Sequence, residues 1–152
     1  MVGPQYCADN WSCDIRTATK TSYSLNNVAD IELQLGKRES ALAKYTESLE
    51  ISRALADQLG TIGDINAVAW YLCLISRIMI KQDPTKGLAI ISEGHQISSV
   101  LSDPNQQDLN ILGTAATVWE VTSESLLALK RRAEADAAQL KADAIRKRIA
   151  GA

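Results

Sequence analysis

Proton-transfer chemistry in this chain would have to begin at His95, the only histidine, because imidazole is the side chain that most readily exchanges a proton near neutral pH. His95 lies between Gly94 and Gln96 on a helical stretch and reads as a surface or hydrogen-bonded core residue. No GxSxG, P-loop, HExxH or GxGxxG sequence occurs. Cys73 falls in the most apolar stretch with no histidine near it in sequence, so it reads as a small buried hydrophobe rather than a nucleophile. Cys7, Cys13 and Cys73 match no zinc or redox spacing, and a Cys7–Cys13 disulfide would require an oxidising compartment. Glu47 and Glu50, three apart, read as a solvated helix face. No catalytic, metal-binding or cofactor-binding residue is therefore expected, and the chain reads as a non-enzyme.

The elements that would position any site are helices. The 152 residues are 46% hydrophobic, supplied by Leu, Ile, Val and Ala with no Phe, and contain only 8 Gly and 3 Pro, which suits one domain of long helices with few turns. Collagen-like, disordered and disulfide-scaffold classes are excluded. A net charge of −2 gives no positive field for phosphates, so no nucleic-acid partner is expected. Ile65 to Ile80 is the most apolar run; interrupted by Asn66, Ser76 and Arg77 and shorter than the ~20 residues of a membrane span, it reads as a buried helix. Met1 to Lys20 contains no apolar run of secretory type, which makes the cytoplasm the default location.

From Ser22 onward the apolar residues recur at helical spacing. Leu25, Val28, Ile31 and Leu35 stop at Gly36, a helix-ending residue, and a second helix runs from about Arg38 through Tyr45 and Leu55 to Gly60. Two helices joined by so short a turn must fold back as a hairpin. Ile65 to Ile80 forms the next helix, Asp83-Pro84 caps and opens its partner over Gly87 to Leu101, and Ser102 to Asn105 is a turn.

These hairpins repeat. A shift of 46 lays Leu25 on Tyr71, Val28 on Leu74, Ala41 on Gly87 and Tyr45 on Ile91, and a further shift of 38 brings Leu109, Leu112, Gly113, Ser125 and Leu129 onto the same slots. The first unit resembles a tetratricopeptide repeat, a helix-turn-helix of about 34 residues, with Leu25, Val28, Ala29, Gly36, Ala41, Tyr45 and Ser48 in the slots of that pattern. Glu32 stands where an aromatic is usual and Arg53 where a Pro often ends the unit, so the repeat runs longer, like the kinesin light-chain type. Gln82 replaces the turn glycine of the second unit, and the third has no turn residue where Glu120 falls.

The resemblance implies an all-α, short right-handed α-solenoid of about three hairpins. Residues 1–21 form an N-terminal segment, partly disordered or irregular, 22–133 the repeat domain, and 134–152 part of a long basic capping helix. It also implies a concave groove lined by the first helices, carried here by Tyr23, Asn26, Asp30, Leu33 and Gln34, then by Leu72, Ser76, Met79 and Ile80, then by Asn110, Thr114 and Thr117. Asn26 and Asp30 occupy the slots where one subgroup grips chaperone C-termini with Lys and Asn, and an acid there repels a carboxylate. The expected partner is therefore another protein or peptide segment, apolar or amide-rich. The competing mode is self-association, the chain serving as an assembly module or as part of a longer array.

Leu126 to Ala150 lacks Gly and Pro and is expected as one long helix. Between Lys130 and Arg148 it carries seven basic and three acidic residues, net +4, which leaves −6 for the rest of a chain whose total is −2. That asymmetry favours docking on its own acidic body, a solvated cap, or self-association. Leu126, Ala133 and Leu140, spaced by seven, make a weak coiled-coil seam.

Overall fold

The structure, a computed structural model, describes residues 11–152. Cys7 and the side chain of Cys13 lie outside the described part. Seven helices and no strand are found among the described residues: α1 (Trp11–Gln34), α2 (Arg38–Leu59), α3 (Ile62–Ile80), α4 (Pro84–Ser92), α5 (Gly94–Leu101), α6 (Leu109–Ala128) and α7 (Arg132–Ala150). They belong to two compact units, one reaching Tyr71 and one running from Leu72 to Ala152, with the division inside α3.

In the first unit α1 and α2 form a hairpin. Gly36 closes α1 at φ +78°, and the Lys37 amide reaches back to the Glu32 carbonyl at 2.8 Å, a glycine-terminated helix end. Gly60 ends α2 in the same way at φ +62°. The helices meet through small residues: Ala18, Ser22 and Ala29 of α1 are buried, as are Ala41 and Ser48 of α2. Ala18 packs with Ile51 and Leu55 against Ile15 and Leu25. Within the described part of residues 1–21 the chain is helical from Trp11, and Ile15 and Ala18 carry the buried face of α1 upstream of Ser22.

The second unit begins in α3. Asp83 caps α4 by accepting from the Lys86 amide at 3.1 Å, with Pro84 in the first turn, as the Asp-Pro pair predicts. A Cβ at Gly87 would lie 2.8 Å from Ile80 Cγ1 and 3.1 Å from the Ile80 nitrogen, so only glycine permits this approach of α4 to the end of α3. The single helix expected over Gly87 to Leu101 bends at Glu93 into α4 and α5. Beside the bend Gly94 is seated against Val118 of α6.

Two expectations fail at the C-terminal end. α6 runs unbroken past Glu120, so the third hairpin is not contained within residues 109–133; it is α6 with α7. The long helix over Leu126 to Ala150 is likewise two helices, divided at Leu129 to Arg131. Lys130 takes the left-handed conformation at φ +60°, and the Arg131 amide reaches the Leu126 carbonyl at 2.9 Å, making the helix-ending motif with lysine in the glycine position. What drives the turn is burial: Ala135, Ala138, Ala142 and Ile145 of α7 are covered in the unit, Ala135 and Ala138 packing with Leu126 of α6.

Buried serines bridge four helix pairs. Ser48 Oγ donates to the Ser22 carbonyl (3.2 Å), Ser76 to Gly87 (2.7 Å), Ser98 to Ala115 (2.9 Å) and Ser123 to Ala135 (2.9 Å). α3 alone among the described helices is long and apolar enough to cross a membrane, with a window of mean hydropathy 1.3. Half of that window is buried inside the protein.

Candidate partner-binding face

Helical spacing places Tyr23, Asn26, Asp30, Leu33 and Gln34 along one side of α1. Tyr23 is 71% exposed and Leu33 37%, Asp30 and Gln34 are exposed, and Asn26 is half-buried. Asp30 is held from two helices: Oδ1 accepts a short hydrogen bond from the Tyr45 hydroxyl of α2, and Oδ2 accepts from Asn26 Nδ2 at 3.3 Å. Tyr45 is fully buried, and burial, then the Asp30 carboxylate, push its phenol far above the ordinary tyrosine range, so it remains a donor. Tyr71 of α3 reaches the buried Ser22 of α1 through their hydroxyls at 3.2 Å.

The opposite flank of α1 behaves differently. Glu32 is paired with Lys44 of α2 at 2.9 Å, and Lys44 holds its carboxyl below the usual range. Val28, Ile31 and Leu35 are 44%, 57% and 67% exposed, an apolar stripe beside the buried face rather than within it.

The remaining candidate positions are placed otherwise. Leu72, Ser76 and Met79 are buried in the second unit, Ser76 being bonded to Gly87, and Ile80 is half-buried against Gly87. Thr114 and Thr117 are buried, their hydroxyls turned back onto the Asn110 and Gly113 carbonyls. Asn110 is exposed in the first turn of α6. Of the positions read from sequence, the structure brings together the five of α1. It adds one that spacing did not reveal: Tyr45, legible only as a packing residue, is the group that fixes Asp30.

His95 is half-buried and stacks on Trp119, ring centroids 4.3 Å apart, while the Lys141 ammonium lies 4.2 Å from the same indole. Thr122 Oγ1 donates to the Val118 carbonyl, so His95 Nε2, 2.8 Å away, carries the proton and donates to it. Burial, then Lys141, hold the imidazole below its ordinary value. Cys73 is buried, and burial pushes its thiol up to about 12. No group of three or more metal-ligating side chains forms among the described residues.

The basic tail docks on its own unit. Arg146 pairs with Glu120 of α6 at 2.8 Å, and the Arg148 guanidinium donates to the Ser102, Asp103 and Gln106 carbonyls at 2.6, 2.8 and 3.3 Å, gripping the loop before α6. That grip forms one wall of an open cleft of about 630 Å³ lined also by Pro104, Gln107 and Leu109. The fold defines an all-helical protein of packed hairpins. No protein-family model matches the chain, and no curated protein or solved structure matches it.

Proposed function

We propose that this chain is a non-catalytic interaction module of tetratricopeptide-like hairpins, and that its first hairpin receives a segment of a partner protein along the Tyr23–Gln34 side of α1. The observation that supports this reading is the combination of an exposed aromatic, an exposed leucine and a fixed carboxylate on a helix whose other side is occupied by α2. Exposed aromatics with polar neighbours concentrate binding energy at interfaces, and an extended peptide needs such anchors at intervals. The test is a selection from displayed random peptides on the full chain. Selected peptides should lose binding when Tyr23 and Leu33 are both changed to Ala, with helicity unaltered. Peptides that bind the double variant equally well would place recognition elsewhere.

A second reading, an assembly module, rests on the Val28, Ile31 and Leu35 stripe, which is apolar and exposed. Light scattering across a concentration series tests it; a mass fixed at one chain throughout rules it out. Replacing Ile31 and Leu35 with Ser should abolish any association that is seen.

A further inference from the structure

The partner expected from sequence is neutral, but the geometry around Asp30 points to something more specific. We infer that the segment received on this face carries an arginine or lysine, seated on the Asp30 carboxylate with its stem against Tyr23. This rests on the peptide-binding reading above and names the chemistry of the occupant.

What distinguishes Asp30 from the other exposed acids is that neutral donors fix it, one of them on the facing helix. A carboxylate free on a helix surface must be ordered before it can hold a cation, and that ordering opposes binding. Here the buried Tyr45 hydroxyl and the Asn26 amide hold the two oxygens from different helices. A carboxylate accepts about four hydrogen bonds, and two are taken, so acceptor capacity remains on the outward edge. Both donors are neutral. No lysine or arginine among the described residues is ion-paired with Asp30, whereas Glu32 has Lys44, Glu120 has Arg146 and Glu124 has Arg77. No described residue supplies that cation, so a basic side chain of the bound segment can complete the arrangement.

The neighbours on the same side of the helix suit that occupant. Tyr23, two turns before Asp30, presents a largely exposed ring on which a guanidinium or an aliphatic stem can lie, and Leu33 follows within one turn. An acidic peptide would meet repulsion at Asp30, and a wholly apolar one would desolvate its carboxylate without supplying a counter-charge.

The experiment uses the peptides selected on the full chain, read for composition and then measured individually by fluorescence anisotropy. Arg or Lys should recur at one position. Asp30→Asn, which keeps an acceptor for Tyr45, should weaken binding by about tenfold or more, the scale of a charge-assisted hydrogen bond. It should also flatten the dependence of affinity on salt. Asp30→Lys should select peptides enriched in Asp or Glu instead. Peptides that need Tyr23 and Leu33 but show no basic preference, or that bind Asp30→Asn unchanged, overturn this inference and leave the binding face standing. A selection that yields nothing dependent on α1 overturns both.

Discussion

Two glycines in helices of the second unit should respond to the same substitution with opposite signs. Helix propensity alone predicts that Gly→Ala stabilises each by about 1 kcal/mol, because alanine loses less backbone freedom on folding. At Gly113 of α6 the added Cβ would meet only the end of the Arg146 side chain at 3.8 Å, an ordinary contact, so the full gain of 0.5 to 1 kcal/mol (roughly) should appear. At Gly87 the new Cβ would lie 2.8 Å from Ile80 Cγ1, 3.1 Å from its nitrogen and 3.3 Å from its Cα. A side chain can rotate away, but the backbone of α3 moves only by opening the hairpin. Opening it also lengthens the 2.7 Å bond from Ser76 to the Gly87 carbonyl. Overpacking of this kind costs typically about 1–3 kcal/mol, which exceeds the propensity gain, so Gly87→Ala should be destabilising by about 1 kcal/mol net. Thermal unfolding followed by circular dichroism resolves the difference, since 1 kcal/mol corresponds to roughly 4–8 °C in a unit of this size. Because both residues lie in one compact unit, the two midpoints share a reference. If Gly87→Ala raises the midpoint as Gly113→Ala does, the close approach of α4 to α3 is not what selects glycine.

Lys130→Gly should raise the midpoint by a few degrees, because lysine at φ +60° bears a left-handed penalty of about 1 kcal/mol that glycine lacks; a lower midpoint would mean that the lysine side chain holds the turn. Stability should also depend on His95. Its folded value lies below the unfolded one, so neutral His95 contributes stability that is present above about pH 6.5 and is lost as pH falls through the folded value, while the unfolded chain takes up the proton first. Trp119 fluorescence should change over the same acidic range, since the stacked ring reports the imidazole directly. His95→Gln should remove both effects, and a titration unchanged by that variant would reassign them.

The first hairpin was legible because its signals are local. Gly36 and Gly60 take the left-handed backbone that only their position requires, and Ala29, Ala41, Tyr45 and Ser48 occupy adjoining turns whose spacing exposes their shared face. The recurrence of Leu25, Val28, Ile31 and Leu35 located the helix but not its inward side, since the buried face is built mostly of Ala18, Ser22 and Ala29, residues that carry little hydropathy. The turn at Lys130 left no trace in sequence because nothing local demands it; the reward for bending comes from covering Ala135, Ala138 and Ala142, which lie beyond it. The bend at Glu93 is similar, with Gly94 placed against Val118 from a distant part of the chain. Among the candidate residues, spacing grouped the five of α1 along one side of that helix. It had no means of showing that Ser76, Thr114 and Thr117 turn their hydroxyls onto carbonyls, because that depends on the helix each one meets or on its own preceding turn.

The four serine bridges have a consequence for how the helices keep their place along one another. Contact surfaces made of Ala, Ser and Gly are smooth, and without large knobs to lodge in holes a helix pair has many axial offsets of similar energy. A hydroxyl bonded to one particular carbonyl distinguishes among them, because sliding by a single residue, about 1.5 Å, stretches and misaligns the bond. Each bridge thus works as a detent on a low-friction track.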